Sequence, residues 1–323
     1  MPTGKAAASA RRPAAKPCSK SRGAVLWRTI KSYKYFYLML LPVLAWYIIF
    51  CYGPMYGVIT AFQDYSMSRG VFRSPFVGLE HFRTLFSDTL FWRAFRNSVI
   101  LAVYRILFEF PIPIILSILI NELRSPLVRK FTQTLLYLPH FLSWVIVASI
   151  IVTFFNPDTG LLAAFARLFG SEMPPNLITA KSFRGILIIT NIWKEAGWGM
   201  IIYLASMSSI DAALYEAAYV DGANRFQRTW HITLPALRSV IAIQMILLAG
   251  SVLRSGFDQV FNLSNPLVME TGDIIDTYVY RVVTKNGEFS YASAIGLFNS
   301  VICTAMLLLA NTLSKKLSDE SIY

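Results

Sequence analysis

Six charged side chains lie within long apolar stretches of this 323-residue chain, and they are the residues best placed to do chemistry there: Arg105, Glu109, Lys194, Glu195, Arg254 and Asp258. A charge that faced lipid at mid-bilayer would cost roughly 2.5–3.5 kcal/mol, so these side chains must face protein or water. Two pairs, 105 with 109 and 254 with 258, are spaced i, i+4 and can neutralise each other on one helix face. Lys194 and Glu195 are adjacent, about 100° apart on a helix, and are not expected to serve one partner in that way. The charges are either ion pairs between packed helices or part of a polar path.

The stretches that carry these charges predict an all-α integral membrane protein. Hydrophobic residues make up 55% of the chain and charged residues only 15%, whereas a soluble domain carries about a quarter charged residues. Measured against the roughly 20 residues that cross a bilayer, the sequence predicts six spans, near 36–60, 97–120, 131–155, 185–208, 239–262 and 291–313.

Charge placement predicts the orientation of these spans. Residues 1–32 hold many lysines and arginines and no acid, and basic residues near span ends are retained in the cytoplasm. We expect a basic, disordered cytoplasmic tail over 1–32, a six-span domain over 33–314 and a cytoplasmic tail over 315–323. Both termini and the segment 209–237 then lie in the cytoplasm. The net charge of +12 follows from this topology, and we expect no nucleic-acid partner.

The segment between the fourth and fifth predicted spans contains a short, Ala-rich helical pattern. Asp211 can cap the start of a helix, because its side-chain oxygen can accept from an unpaired backbone N–H. Good helix formers follow, and Gly222 can supply the left-handed conformation that ends a helix. Leu214, Ala217 and Ala218 share one small apolar face. The pattern predicts a helix suited to a shallow cleft on another protein, rather than an ordinary surface turn.

The pattern Glu216-Ala217-Ala218, three residues, Gly222, nine residues, Ile232-Thr233-Leu234-Pro235 resembles the cytoplasmic coupling loop of permease subunits in binding-protein-dependent ABC importers. The resemblance covers most of 36–314 and implies the type I importer permease fold. It implies that a short helix docks into a cleft on an ATPase subunit. The residues it assigns to this coupling are Leu214, Tyr215, Glu216, Ala217, Ala218, Asp221 and Gly222.

The same resemblance implies a sugar path through the spans before and after the loop. Transferred by position, the path holds Asn191, Trp193, Lys194, Glu195, Trp198, Ser251, Arg254, Ser255 and Asp258, to which the charged positions Arg105 and Glu109 are added. Aromatic rings and hydroxyls suit a saccharide, and the Arg and Lys favour an anionic one. The fourth span, the basic tail and the segment 285–294 resemble permeases that import oligosaccharides and acidic polysaccharide fragments such as alginate.

The sequence contains no phosphate-binding loop of the Walker type. We therefore expect no catalysis and no cofactor in this chain, with ATP and Mg²⁺ bound by two partner ATPase subunits. The resemblance also implies a second permease, identical or related, and a solute-binding protein. Alternating access would follow from movement of the coupling helices with the ATPases.

Two other classes remain open. A secondary transporter or channel for a polar solute would also use charged and Pro-bent spans, but it has no use for the 216–235 pattern. A membrane-embedded enzyme is disfavoured, because the three histidines are far apart in the chain and neither a Gly-x-Ser-x-Gly elbow nor a His-Glu-x-x-His motif occurs.

Overall fold

The computed structural model describes residues 31–156, 159–169, 179–251, 253–254 and 256–318. Most of the predicted tail 1–32, the end of the tail 315–323, and Ser255 of the predicted path lie outside these residues. Within them the regular structure is helical, apart from one isolated bridge between Gln63 and Phe76. The chain divides into two compact units at Gly57 and Val58.

The first unit contains the helices Lys34–Trp46, Tyr47–Tyr52 (π), Gly53–Met55 and the beginning of Tyr56–Phe62 (3₁₀). Its large apolar side chains are exposed.

The helices of the second unit after Phe62 are Gly70–Arg73, Glu80–Ser87, Thr89–Tyr104, Arg105–Glu109 (π), Pro111–Asn121, Pro126–Tyr137, Leu138–Phe141 (3₁₀), Trp144–Phe154, Leu161–Leu168, Phe183–Ser208, Ala212–Val220, Arg225–Arg228, Thr229–Thr233 (π), Leu234–Ser251, Phe257–Leu263, Met269–Gly272, Ile275–Arg281, Val282–Asn286 (π) and Phe289–Ser318. Several of them run on without a break into longer rods.

Four continuous rods in the described residues are long and apolar enough to cross a membrane: Lys34–Phe62, Thr89–Asn121, Arg225–Ser251 and Phe289–Lys315. A fifth candidate is the pair Pro126–Phe141 and Trp144–Phe154, which meet at an angle of 97°. The residues of the predicted third span therefore form two helices with a sharp bend between them rather than one straight helix. Helix Phe183–Ser208 has 26 residues, but the polar residues at its middle lower its hydropathy. The chain is a multi-pass membrane protein, and the count of six spans stays a prediction.

Helix Phe183–Ser208 packs against Pro111–Asn121, Pro126–Tyr137 and Leu234–Ser251. Glycines permit the close approach: a Cβ on Gly197 would lie 2.0 Å from the carbonyl oxygen of Leu136, and one on Gly199 would lie 3.1 Å from Pro113. The central helix can therefore touch its neighbours along the face that carries the polar residues described below.

The segment around residues 80–95 packs into a buried apolar cluster with the start of the last helix. Leu85 is buried there beside Phe91 and Ile295. Asp88 caps helix Thr89–Tyr104 by accepting from the Leu90 N–H at 2.8 Å, and it also accepts from the hydroxyl of Tyr278. Burial opposes ionisation of Asp88, but the hydroxyl and backbone donors hold its pKa below the usual value.

Candidate functional site

The short helix of the predicted coupling loop spans Ala212–Val220, and its start is capped as expected. The Asp211 carboxylate accepts from the Ala213 N–H at 2.9 Å. This bond satisfies one of the backbone donors that a helix leaves open in its first turn.

The helix ends in a left-handed residue, which confirms the prediction that Gly222 adopts the left-handed conformation at the helix end. Gly222 has a φ of +78°, and its N–H donates to the Tyr219 carbonyl at 3.1 Å while the Ala223 N–H donates to the Ala218 carbonyl at 2.9 Å. These two bonds form a Schellman motif, which satisfies carbonyls at a helix end. Among the described residues beyond its two chain neighbours, no atom lies within 4 Å of the position that a Cβ on Gly222 would take.

Most of this helix is open to solvent. None of its residues is buried, the Leu214 side chain is 54% exposed, and Glu216, Ala217 and Asp221 are exposed as well. The residues assigned to coupling are thus available on the surface of this chain.

Tyr215 differs from the other coupling residues because its side chain turns back to the permease itself. Its hydroxyl lies 2.9 Å from the Thr233 hydroxyl, and Thr233 is buried in the helix that follows. Arg225, at the start of the helix that follows, lies 3.8 Å from Glu122. The Tyr215 contact anchors the short helix to that following helical rod, and the part of Tyr215 in ATPase coupling stays a prediction.

A cavity of about 340 Å³, with a largely apolar wall that also carries charged and polar side chains, lies where three helices meet. Residues spaced three or four apart line it, which places one face of each helix toward it. The lining residues from the three helices are Arg105, Glu109, Phe110 and Pro113; Asn191, Ile192, Glu195, Ala196, Gly199 and Tyr203; and Gln244, Leu247, Leu248 and Ser251. We call it the polar cavity.

The predicted pair Arg105 and Glu109 is confirmed as an ion pair in the wall of the polar cavity. The Arg105 Nε lies 3.7 Å from Glu109 Oε1, Glu109 Oε2 accepts from the Asn191 amide at 2.6 Å, and the guanidinium donates to Gln259 Oε1 at 3.2 Å. Arg105 to Glu109 forms a π-helical turn just before Pro111, and such turns are frequent at functional sites.

The expectation that Lys194 and Glu195 cannot serve one partner is wrong, because they contact each other and both contact His140. The Lys194 Nζ donates to Glu195 Oε1 at 2.7 Å and to the His140 carbonyl at 2.9 Å, because the flexible lysine stem bends across the angular separation. Glu195 also contacts His140 Nδ1 at 2.7 Å, and the His140 ring stacks on Trp198 at 4.4 Å.

These contacts decide which cations can attract an anionic substrate in the polar cavity. Lys194 is only 5% exposed and does not line the cavity, whereas Glu109 and Glu195 do. Arg254, the arginine of the sequence prediction, does not line the cavity and donates to the Ser300 hydroxyl, while Arg105 lines it but already faces Glu109. The preference of Arg254 and Lys194 for an anionic sugar stays a prediction.

The predicted pair Arg254 and Asp258 is also wrong. Helix Leu234–Ser251 ends before Arg254, and a new helix begins at Phe257 after Gly256, whose φ is +103°. The two residues therefore do not share a helix face, and Arg254 donates to the Ser300 hydroxyl instead.

The spacing of the cavity residues explains which predicted positions the structure brings together. Asn191 and Glu195 line the cavity, as does Ser251, but Trp193 and Trp198 are 50% and 47% exposed and do not. Tyr203 was missed, although it lies on the same i, i+4 series as Asn191 and Glu195. A search along that series would have found it.

Residues 109–319, more than half of the chain, match the family "Binding-protein-dependent transport system inner membrane component". The chain belongs to this family. Permeases of this kind are the non-catalytic membrane subunits of ABC importers, which depend on a solute-binding protein and on a separate ATPase.

Two curated relatives of this permease come from Bacillus subtilis (strain 168). The polygalacturonan/rhamnogalacturonan transport system permease protein YteP is 44% identical over 290 residues, which cover 90% of each chain. Protein LplB is 42% identical over 302 residues, which cover 94% of this chain and 95% of LplB.

A solved structure of a bacterial ABC transporter involved in the import of the acidic polysaccharide alginate contains a similar chain. It matches with a TM-score of 0.84 and 41% identity over 91% of this chain and 99% of that chain. A second structure, of the alginate transporter in complex with an alginate pentasaccharide-bound periplasmic protein, matches with the same TM-score and identity. The permease therefore has the predicted all-helical type I importer fold.

Proposed function

We propose that this permease is one of two membrane subunits of a bacterial inner-membrane importer that takes acidic oligosaccharides from a solute-binding protein. Two relatives are named or titled for acidic polysaccharides, polygalacturonan and alginate. Two ATPase subunits would bind ATP and Mg²⁺, and a related second permease would complete the pathway. The chain would cross the membrane six times, with Phe183–Ser208 as the fourth span and both termini in the cytoplasm.

The exposed, doubly capped helix Ala212–Val220 is the observation that carries this proposal. It offers Leu214, Glu216, Ala217 and Ala218 on a surface to which nothing else in the described chain is bonded through side chains, while Tyr215 fixes its position. A cleft on an ATPase is the partner that the family provides for such a helix.

The polar cavity is the proposed substrate path. Its volume of about 340 Å³ lies at the lower end of the ~300–1,000 Å³ of ligand pockets. This chain would form one side of the path, and a second permease would complete it. Asn191, Gln244, Tyr203 and Ser251 would hydrogen-bond the sugar hydroxyls, and Glu109 and Glu195 would accept from them.

The test is reconstitution of this permease with its partner permease, the ATPase and the solute-binding protein in liposomes. We expect uptake of tetragalacturonate that requires both ATP and the binding protein. Uptake by the permease alone, driven by an ion gradient, would favour the secondary transporter instead.

A further inference from the structure

A second cavity, of about 200 Å³, lies among the short helices that follow Gly256, and its chemistry differs from that of the polar cavity. We call it the aromatic cavity. Its lining includes Phe261, Ser264, Tyr280, Arg281, Thr284 and Lys285. Because its volume is below the ~300–1,000 Å³ of pockets for drug-sized ligands, it can enclose one ring of a larger ligand.

On the proposed topology, the aromatic cavity lies toward the outer end of a membrane span whose inner end carries the coupling helix. Rod Arg225–Ser251 has 27 residues, about 40 Å at 1.5 Å per residue, which exceeds the ~30 Å of bilayer hydrocarbon. The coupling helix precedes this rod and the cavity follows it. Lys285 and its neighbours Thr284, Asn286 and Glu288 are exposed and polar, as a water-facing surface requires.

Two partly exposed aromatic rings form one wall of the aromatic cavity. The rings of Phe261 and Tyr280 have centroids 5.0 Å apart at an angle of 73°, and Phe257 supports both at 5.3 and 5.6 Å. The supporting contacts hold the two rings in place while 42% of Phe261 and 43% of Tyr280 remain exposed. Fixed, accessible ring faces suit the apolar face of a pyranose ring.

The charges of the aromatic cavity favour an anion. Asp273 is buried, and the Arg281 guanidinium neutralises it by donating to its carboxylate at 2.6 and 3.1 Å. The Arg93 guanidinium also lies 3.7 Å from the Asp273 carboxylate. Lys285 is exposed, and no ion pair within 4 Å is found for it in the described residues. One carboxylate and two cations line the aromatic cavity and leave a net charge of +1. The polar cavity is lined by two carboxylates and one arginine, which leave a net charge of −1.

The hydroxyls in the wall are set up to accept hydrogen bonds. The Ser264 hydroxyl donates to the Phe261 carbonyl at 3.0 Å, and the Thr284 hydroxyl donates to the Tyr280 carbonyl at 2.7 Å. Since each hydroxyl has one proton and two lone pairs, both oxygens can still accept from the hydroxyls of a sugar.

One short helix connects the two cavities. In Phe257–Leu263 the fully buried Gln259 donates to the Leu187 carbonyl at 2.6 Å and accepts from Arg105 of the polar cavity, while Phe261 faces the aromatic cavity. A ligand released from the aromatic cavity would therefore begin its passage beside the wall of the polar cavity.

We propose that the aromatic cavity binds one uronate unit of an acidic oligosaccharide on the outer side of the membrane. Lys285 would pair with its carboxylate, Tyr280 and Phe261 would stack on its ring, and Ser264 and Thr284 would accept from its hydroxyls. This inference rests on the proposed function and assigns the selection of acidic sugars to the aromatic cavity rather than to the polar cavity.

The direct test is protection of a cysteine placed in the cavity wall. Thr284→Cys, in a background with Cys18 and Cys51 changed to Ser, is labelled with a membrane-impermeant maleimide in the reconstituted importer. At a tetragalacturonate concentration ten times the half-protecting value, labelling should slow about tenfold by mass action. Carboxyl-reduced, neutral tetrasaccharide should protect far less, and Glu288→Cys, outside the cavity, should not be protected by either sugar.

Charge variants locate the selectivity. Lys285→Gln should raise the half-protecting concentration of tetragalacturonate about fivefold, the factor that an exposed ion pair is worth at most, and leave that of the neutral sugar unchanged. Lys181→Gln, a matched exposed cation that lines a different depression, should change neither. Uptake of the acidic sugar should weaken in Lys285→Gln and in Tyr280→Ala.

The outcomes separate this inference from the proposed function. ATP-driven uptake of tetragalacturonate by the wild type, with equal protection of the cysteine by acidic and neutral sugars or no effect of Lys285→Gln, would overturn the aromatic cavity as the selective site. Labelling only from the cytoplasmic side would overturn it too. Failure of the wild type to import either sugar would instead count against the proposed function.

Discussion

Replacing Gly222 with valine changes the end of the exposed helix without creating a clash inside the permease. A β-branched side chain in the left-handed region costs about 1–2 kcal/mol, and Gly222 has a φ of +78° with open space around it. Since 1.4 kcal/mol changes an equilibrium constant tenfold, the ratio of helices that end in the Schellman motif to helices with a frayed end should fall about 5- to 30-fold.

The assay is the ATPase rate of the reconstituted importer with and without loaded binding protein. We expect Gly222→Val to lose most of the stimulated rate while the chain still reaches the membrane. Gly222→Asn should retain much of it, because Asn tolerates the left-handed conformation better than other residues. Gly70→Val is the matched control: Gly70 has a φ of +68° and equally open space, but it lies outside the coupling loop.

A stimulated rate in Gly222→Val equal to that of the wild type would refute the reasoning, since the helix end would then be irrelevant to coupling. Equal losses in Gly222→Val and Gly70→Val would refute it as well, because the effect would be one of general stability.

Three further predictions concern stability in detergent. Gly197→Ala should lower the melting temperature, because its Cβ would meet backbone at 2.0 Å, a strain of about 1–3 kcal/mol. The control Gly185→Ala meets nothing within 4 Å and should be neutral or stabilising. Equal shifts of the melting temperature in the two variants would contradict the close packing at Gly197. Burial raises the pKa of Asp276 to about 6. The protonated Asp276 therefore stabilises the fold fully below the unfolded pKa of about 3.9, and this stabilisation is lost as the pH rises through 6. Asp276→Asn should make the melting temperature less dependent on pH across this window, and an unchanged slope would contradict the assignment. Glu109→Ala removes the carboxylate that faces the buried Arg105 and should cost about 3–5 kcal/mol of folding free energy. Glu109→Gln should cost less, and similar melting temperatures for the two variants would contradict this prediction.

Local signals in the sequence were sufficient for the coupling helix. Asp211 and Gly222 act on backbone groups within a few residues of themselves, so their roles could be predicted without the rest of the fold. The pair Arg105 and Glu109 was predictable for the same reason, because the chain between them stays helical.

Tertiary structure decided the positions at which the sequence prediction failed. Arg254 and Asp258 are separated by a helix break at Gly256, where a Cβ would meet the Arg105 guanidinium at 2.3 Å; nothing near these residues in sequence indicates that neighbour. Trp193 was assigned from its distance to the coupling loop, and such a transfer does not specify the direction of a side chain around the helix axis.

The hydroxyl contact between Tyr215 and the buried Thr233 has a mechanical consequence. Thr233 lies within rod Arg225–Ser251, and the weaker, exposed link from Arg225 reaches Glu122 at the end of rod Thr89–Asn121. The short helix is therefore tied directly to rod Arg225–Ser251, and that rod is tied in turn to the end of rod Thr89–Asn121. Motion of the short helix would pass first to rod Arg225–Ser251 and then, through Arg225 and Glu122, to the second span, so that both of the cavity walls contributed by these spans would shift.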